Sequence, residues 1–188
     1  WTKTSTSATS STSQAAWIAF VSSAALAPPE SRATPMAEPF EHGFTTMRDL
    51  ETEGAGYDDV ALRDAVNEGV IPGPRLQVAG PALSTTGTYP ILHFRPDWKF
   101  PTGVMVCDGA DGCRRAVREQ TSYGTDWVKV YANTGPPRLT ADGYIDTRPN
   151  WTPEEIAAVV SEAHARGRKV AAHATSDSGA GLAVQAGV

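Results

Sequence analysis

The sequence has little of several features that mark common protein classes. It holds only two cysteines, Cys107 and Cys113, which form neither a disulfide framework nor a zinc-binding spacing. Two reduced thiols near a helix start are favoured over the alternative, a local disulfide. No apolar run is long enough to span a bilayer. The net charge of −5 argues against a nucleic-acid partner. No G-x-G-x-x-G or Walker sequence opens a helix after a strand, so the main signature of nucleotide-binding sheets is missing.

A repeated order of helix, glycine and short apolar segment runs through most of the chain. Glycine just past a helix adopts the left-handed conformation easily, and a short β-rich run after it predicts a buried strand. The predicted strands span 44–47, 75–79, 127–132 and 170–174. Helices alternating with such strands predict an α/β fold with a parallel sheet.

The predicted helices span 57–68, 111–123 and a segment that begins after Thr152. The last has the clearest start, with Thr152 as the cap, Pro153 at the first helical position and Glu155 closing a capping box. Long loops, 80–103 and 133–151, follow two of the strands at their carboxyl ends. This asymmetry favours a TIM-type (β/α) barrel over a doubly wound open sheet, because loops at the carboxyl face build the site of a barrel.

The first part of the chain differs in composition from the rest. Residues 1–40 are predicted to be a low-complexity, proline-interrupted segment, and residues 41–188 the partial barrel. Residues 15–27 are apolar and resemble a signal-peptide core, although we prefer a helix there. The compartment therefore stays open: cytoplasmic is favoured, and secreted is the alternative if 15–27 is a signal segment.

Two polar residues lie in otherwise apolar predicted strands, and they are the best indication of chemistry. Lys129 is flanked by Val128 and Val130, and a buried ammonium is costly unless it is paired. Four interpretations stay open: an ion pair with a carboxylate such as Asp49, a side chain that extends to the barrel mouth, a Schiff-base amine, or a carbamate that bridges two metals. His173 ends the next strand, where it is either a hydrogen-bonded core residue or a neutral imidazole that binds a metal.

Other polar residues have weaker signals. Tyr131 follows Lys129 by two positions and so shares its face, where it either packs or donates a hydrogen bond to a substrate oxyanion. Asp49 is interpreted as pairing with Arg48 at the barrel mouth. His93 lies in the long aromatic loop and could touch substrate, although a surface histidine is the favoured interpretation.

Several motifs together resemble the metal-dependent amidohydrolase superfamily, closest to its imidazolonepropionase-like and Xaa-Pro or Xaa-Lys/Arg dipeptidase branch. They are GFTTMRDLETEG, ALRDAVNEGVIPGPRLQVAGPALSTTG, DWVKVYA, KVAAHATS and AVQAGV. The resemblance implies a (β/α)₈ barrel with two divalent ions, of zinc type. It implies that Lys129, as a carbamate, bridges the ions and that His173 binds one of them. It further implies that Tyr131 and the turn of Ser84, Thr85, Thr86 and Gly87 contact substrate.

The chain also departs from that family's pattern. No His-x-His occurs in it, and the family's strand-six histidine and strand-eight aspartate would lie beyond Val188. We therefore expect strands two to five of the barrel, about half, with two of six ligand residues, which is fewer than a catalytic zinc usually has.

The predicted function is that of a fragment of an amidohydrolase that cleaves the amide C–N bond of a dipeptide-like or cyclic amide, with this chain alone inactive. The alternative is a non-catalytic half-barrel module or pseudo-enzyme that self-associates or binds the missing half. We also expect inward-facing Phe44, Val78, Val130 and Val170 to lack their opposing layer, which would leave the chain marginally stable.

Overall fold

The computed structural model of the chain describes residues 42–89, 102–134 and 138–188. The predicted segment 1–40 lies outside these residues, as does any helix that precedes Gly43. The loop residue His93 lies outside them as well.

The described chain contains the predicted helices and strands in the predicted order, with further short strands after Gln77 and after Tyr131. The strands are β1 (Thr46–Arg48), β2 (Arg75–Gln77), β3 (Ala82–Ser84), β4 (Val104–Val106), β5 (Trp127–Tyr131), β6 (Arg138–Leu139), β7 (Ile145–Asp146) and β8 (Lys169–His173). The helices are α1 (Asp58–Asn67), α2 (Gly109–Ser122), α3 (Pro153–Ala165) and α4 (Asp177–Ala186).

The pairing of the strands confirms a parallel α/β architecture. β1 pairs with β2, and a four-stranded parallel sheet has the order β4, β3, β5, β8. Asp126 and Trp127 also donate their backbone N–H groups to the carbonyl of Val78, so β5 lies beside the whole run from β2 to β3. Within this sheet β4 lies on one side of β3, and β5 and β8 follow on the other side in chain order. Parallel strands that follow one another in chain order are typical of an arc of a barrel.

The apolar core lies between this arc and its helices. On β5, Val128 and Val130 are completely buried, and they pack with α2 and α3 residues such as Val117 and Ile156. A smaller cluster packs Val60 of α1 against Leu76 and Val78. Because successive strand residues point to opposite sides, Trp127, Lys129 and Tyr131 face away from the helices.

This alternation corrects one expectation from the sequence. Val78, Val130 and Val170 were expected to face an unfilled interior, but all three are buried in the clusters on the helix side. Phe44, in contrast, is 58 % exposed. Neighbouring residues of a strand point to opposite sides of the sheet, so Val130 cannot lie on the same side as Lys129.

The two long loops contain strands that the sequence pattern did not predict. β3 and β4 lie within or just after the segment 80–103, and β6 and β7 form an antiparallel pair within 133–151. The helix α2 also begins two residues earlier than the predicted 111. A three-residue strand such as β3 carries too short an apolar pattern to be recognised, although its Leu83 is fully buried.

Local capping explains where two helices begin and end. Thr152 accepts a hydrogen bond from the backbone N–H of Glu155, whose side chain accepts one in return, so the predicted capping box is confirmed. Ser176 caps α4 by accepting a hydrogen bond from the backbone N–H of Gly179, and Gly187 ends the helix with a φ of 92°. None of the helices in the described ranges has both the length and the apolar character needed to cross a bilayer.

Candidate active site

The strand register brings the two predicted metal-binding residues to one face. β5 and β8 are adjacent parallel strands in which Lys129 is opposite Ala171 and Tyr131 is opposite His173. Residues opposite each other in register share a side, as do residues two apart on one strand. Lys129, Tyr131 and His173 therefore lie together, at the carboxyl half of both strands and on the side away from the helices.

Aromatic contacts hold these side chains close to one another. The Tyr131 ring centroid lies 5.1 Å from that of His173 and 5.5 Å from that of Tyr89. Lys129 Nζ lies 5.2 Å from the Tyr131 ring centroid. Each ring is tilted relative to Tyr131, which is a favourable arrangement for aromatic pairs. Tyr131 thus stands at the centre of the cluster.

Burial shifts the protonation of both nitrogen side chains toward the neutral form. Desolvation lowers the pKa of Lys129, although the carboxylates of Glu51, Glu53 and Asp49 act in the opposite direction. Desolvation also lowers the pKa of His173, and the charge of Lys129 adds to that effect. A neutral amine and a neutral imidazole are the forms that bind metals or react with electrophiles.

Two glutamates that follow β1 complete the cluster, and sequence reasoning missed them. Tyr131 donates its hydroxyl to Glu51, and Tyr89 donates to Glu53 at 3.1 Å. Burial raises the pKa of Glu51 to about 7, even though the hydrogen bond from Tyr131 lowers it. The second carboxylate oxygen of Glu51, Oε1, is buried without a hydrogen-bond partner. Acidic residues just past the carboxyl end of a predicted barrel strand were the available signal.

A glycine makes room for these carboxylates. A Cβ on Gly103 would lie 2.4 Å from Oε1 of Glu51 and 3.1 Å from the Tyr89 hydroxyl. It would also lie 3.0 Å from the backbone Cα of Glu53, so the obstruction is not confined to flexible side chains. The close approach of the segment before β4 to the acidic pair therefore requires a residue without a side chain.

The predicted substrate-contact turn is held to its surroundings by hydrogen bonds. Ser84 and Thr85 are buried, and Thr85 donates to the Asn150 carbonyl at 2.6 Å. Thr86 is exposed, and its N–H and hydroxyl both donate to the Asp108 carboxylate. Gly87 is exposed with a φ of 79°. The turn lies at the carboxyl end of β3. Its contact with substrate stays a prediction.

Asp49 directly follows β1 and precedes the two glutamates in sequence. The sequence makes it a candidate ion partner of either Arg48 or Lys129. Asp49 is buried, and its charge acts on Lys129 as described above. The guanidinium of Arg48 lies 4.0 Å above the Trp127 ring, in a cation–π contact. Trp127 in turn donates its indole N–H to the Gln77 side chain at 3.0 Å.

A fully buried amide joins the ends of β5 and β8. Asn133 Nδ2 donates to Thr147 and to Ser176, the latter at 2.6 Å, and Oδ1 accepts from the backbone N–H of Thr175 at 2.9 Å. These bonds fix the loops that leave both strands, directly beyond Tyr131 and His173. Sequence reasoning missed Asn133, since an asparagine after a strand is an ordinary loop residue.

The described residues supply fewer metal ligands than the three that a catalytic zinc usually has. Among residues 42–89, 102–134 and 138–188, no group of three or more His, Cys, Asp or Glu side chains could hold an ion. Lys129 and His173 nonetheless match metal donors in kind, because burial favours their neutral forms and they share one face.

Comparisons with known proteins agree with this architecture. The ochratoxinase of Aspergillus niger is 32 % identical over 168 residues, which cover 80 % of this chain and 33 % of that protein. A solved Xaa-Pro dipeptidase is 32 % identical with a TM-score of 0.68, over 86 % of this chain and 40 % of its own. A prolidase in complex with N-methylphosphonate-L-proline is 30 % identical with a TM-score of 0.68, over 90 % of this chain and 42 % of its own.

The chain thus spans 33 % to 42 % of the length of these relatives, and the expected partial barrel is in accord with that share. Residues 33–188 match the model of the amidohydrolase family. The resemblance noted in the sequence is confirmed, and the chain belongs to the amidohydrolase family.

Proposed function

We propose that this chain forms part of a metal-dependent hydrolase that cleaves the amide C–N bond of a dipeptide-like or cyclic amide. We further propose that these 188 residues alone are inactive. One observation carries the proposal: Lys129 and His173 share a face at the carboxyl half of adjacent parallel strands, where barrel enzymes hold their catalytic groups. Family membership supports the same class of reaction.

Lys129 and His173 are the residues of this chain that would hold a divalent ion, which we propose to be zinc. The neutral amine of Lys129 can add to carbon dioxide, forming an N–C bond and releasing a proton, and the resulting carbamate supplies oxygen ligands. His173 would bind through a neutral ring nitrogen. A bound divalent ion would polarise the substrate carbonyl and lower the pKa of a coordinated water.

Tyr131 is the residue that we propose to contact the substrate oxygen. Burial raises the pKa of its hydroxyl well above the ordinary range, so the group stays a hydrogen-bond donor at neutral pH. In this structure the hydroxyl donates to Glu51, which shows that it points toward the acidic pair. We propose that further contacts with the substrate come from Ser84, Thr85, Thr86, Gly87 and His93.

The substrate class follows from the relatives. A Xaa-Pro dipeptidase and an ochratoxinase are both similar to this chain, so Xaa-Pro dipeptides and ochratoxin are the first substrates to test. The segment 80–103 includes the predicted substrate-contact turn and Gly103, so its sequence is proposed to set specificity.

The test uses the full-length gene product with zinc added and its metal content measured. We expect Lys129→Ala and His173→Ala to lose activity by more than the roughly 10–100-fold typical of outer-shell changes, and to lose bound metal. Lys169→Ala is the matched control, because Lys169 lies on β8 with His173 but is exposed at the opposite end. A Lys129→Ala protein that keeps both metal and activity would overturn the assignment.

A non-catalytic half-barrel module is the second candidate. It is favoured by the absence, within the described ranges, of a three-residue group that could hold an ion. A full-length product that is inactive and metal-free, but associates with itself or with another barrel segment, would support this candidate. Turnover of a dipeptide by the purified 188-residue chain with zinc would contradict the proposed inactivity.

A further inference from the structure

The two cysteines lie outside the candidate active site and face each other at the junction of β4 and α2. Cys107 directly follows β4, and Cys113 lies in the second turn of α2. We propose that this pair is a redox modification site, at which Cys107 and Cys113 form a reversible intramolecular disulfide with a low-molecular-weight disulfide as oxidant. The proposal is independent of the hydrolase activity.

The separation of the two sulfur atoms carries the proposal. The Cys107 thiol donates to Sγ of Cys113 with 2.8 Å between the sulfurs, although the residues are six positions apart. A disulfide bond is about 2.05 Å long, so the sulfurs need approach by only about 0.8 Å. Such a shift is within the range of side-chain adjustment.

The turn between the cysteines produces this proximity. Asp108 is extended and Gly109 has a φ of 68°, a left-handed conformation that suits glycine. The chain therefore reverses sharply into α2, and the start of the helix brings Cys113 back over Cys107. The Cys113 thiol also contacts the Cys107 carbonyl at 3.5 Å.

Both thiols are free and buried in this structure, and this sets the order of the chemical steps. Cys107 is 5 % exposed and Cys113 is fully buried, so Cys107 is the sulfur that a small oxidant reaches first. Its thiolate attacks the oxidant disulfide, forms a mixed disulfide and releases one thiol. Cys113 then loses its proton and attacks Cys107 Sγ, which closes the protein disulfide and releases the second thiol. Two electrons pass to the oxidant, and two protons are released from the cysteines.

Local interactions make the reaction slow in both directions. The hydrogen bond with Cys113, together with burial, raises the pKa of Cys107 well above its ordinary range, so little thiolate is present at neutral pH. A bond formed there would be shielded from reductants in the same way. The pair is thus suited to a long-lived cross-link.

The cross-link would stabilise a junction to which two other loops attach. Asp108, between the cysteines, accepts both hydrogen bonds from Thr86 of the predicted substrate-contact turn. Gly109 donates its N–H to Glu155 at the start of α3. We expect oxidation to raise the unfolding temperature of the chain by about 5 °C or more.

The test equilibrates the 188-residue chain with oxidised and reduced glutathione at fixed ratios, under native conditions and in urea, followed by acid quenching and alkylation. Asp-N protease cleaves before Asp108 and Asp111, so it separates the cysteines unless a disulfide joins the peptides. We expect a joined pair whose equilibrium constant is at least about tenfold larger in the folded chain than in urea.

Single variants trap the intermediate. Cys113→Ala is expected to keep a glutathione adduct on Cys107, whereas the unsubstituted chain resolves the adduct and retains none. Circular dichroism of each protein checks that it is folded. An equal or larger equilibrium constant in urea would overturn the proposal, as would a persistent glutathione adduct on the unsubstituted folded chain.

Discussion

Two glycines in α4 provide a controlled test of how tightly the structure packs beside the candidate site. Gly179 is the third residue and Gly181 the fifth residue of the same helix. A Cβ on Gly181 would meet no atom within 4 Å, whereas a Cβ on Gly179 would lie 2.6 Å from both Cγ and Oδ1 of Asn133. Gly→Ala removes backbone freedom within the same helix at both positions, but only one change collides with a neighbour.

The expected magnitudes follow from these contacts. Replacing an interior helical glycine by alanine stabilises a helix by about 0.8–1 kcal/mol, so Gly181→Ala is expected to increase the free energy of unfolding by that amount. Overpacking costs about 1–3 kcal/mol. Asn133 cannot move aside easily, because it is fully buried and bonded to Ser176 and Thr175. Gly179→Ala is therefore expected to be less stable than Gly181→Ala by about 1–3 kcal/mol.

The assay is urea unfolding followed by circular dichroism, on both variants and on the same pair in an Asn133→Ala background. Removing the Asn133 amide removes the collision, so the difference between the alanine variants should shrink to within about 0.5 kcal/mol. If Gly179→Ala and Gly181→Ala are equally stable while Asn133 is present, then the packing described at the ends of β5 and β8 is wrong.

Three further predictions concern the helices. Ile156 is fully buried, so Ile156→Ala should lower the free energy of unfolding by about 2–5 kcal/mol. Leu139 is 78 % exposed, so Leu139→Ala should change the free energy of unfolding by less than about 0.5 kcal/mol. Urea unfolding measures both. Thr152→Ala should cost about 1 kcal/mol through loss of the α3 cap, seen as a lower denaturation midpoint. Hydrogen bonding to Arg118 lowers the pKa of Glu162 from 4.5 to about 2, so the stability from this pair is present above pH 4.5 and is lost as the pH falls toward 2. Unfolding midpoints measured across that pH range should fall less steeply for Arg118→Gln than for the unsubstituted chain.

The sequence pattern predicted the long regular elements well because their signals are local. The α3 start depends on Thr152 and its neighbours alone, and the capping box formed as expected. The strand around Lys129 was also predicted within one residue, because its alternating valines and flanking glycine are unambiguous. The prediction of β8 succeeded for the same reason.

The features that were missed depend on contacts distant in sequence. β3 is a strand because β4 and β5 pair with it from both sides, and three residues cannot show that in advance. Glu51 became part of the candidate site through Tyr131, 80 positions away. The need for glycine at position 103 follows only from the approach of Glu51, Glu53 and Tyr89. None of these contacts has a local pattern.

The two faces of the arc have different roles, and this changes the expected source of instability. The apolar layer that stabilises the arc is supplied by its own helices, since Val128 and Val130 of β5 pack against α2 and α3. The opposite face carries Lys129, Tyr131, Glu51 and His173, all partly buried, with Oε1 of Glu51 lacking a hydrogen bond. A buried polar atom without a partner costs about 1–3 kcal/mol, which is comparable to the loss from one exposed valine. This unpaired oxygen is therefore one source of instability on the site face, and a ligand that bonds to it would relieve that cost.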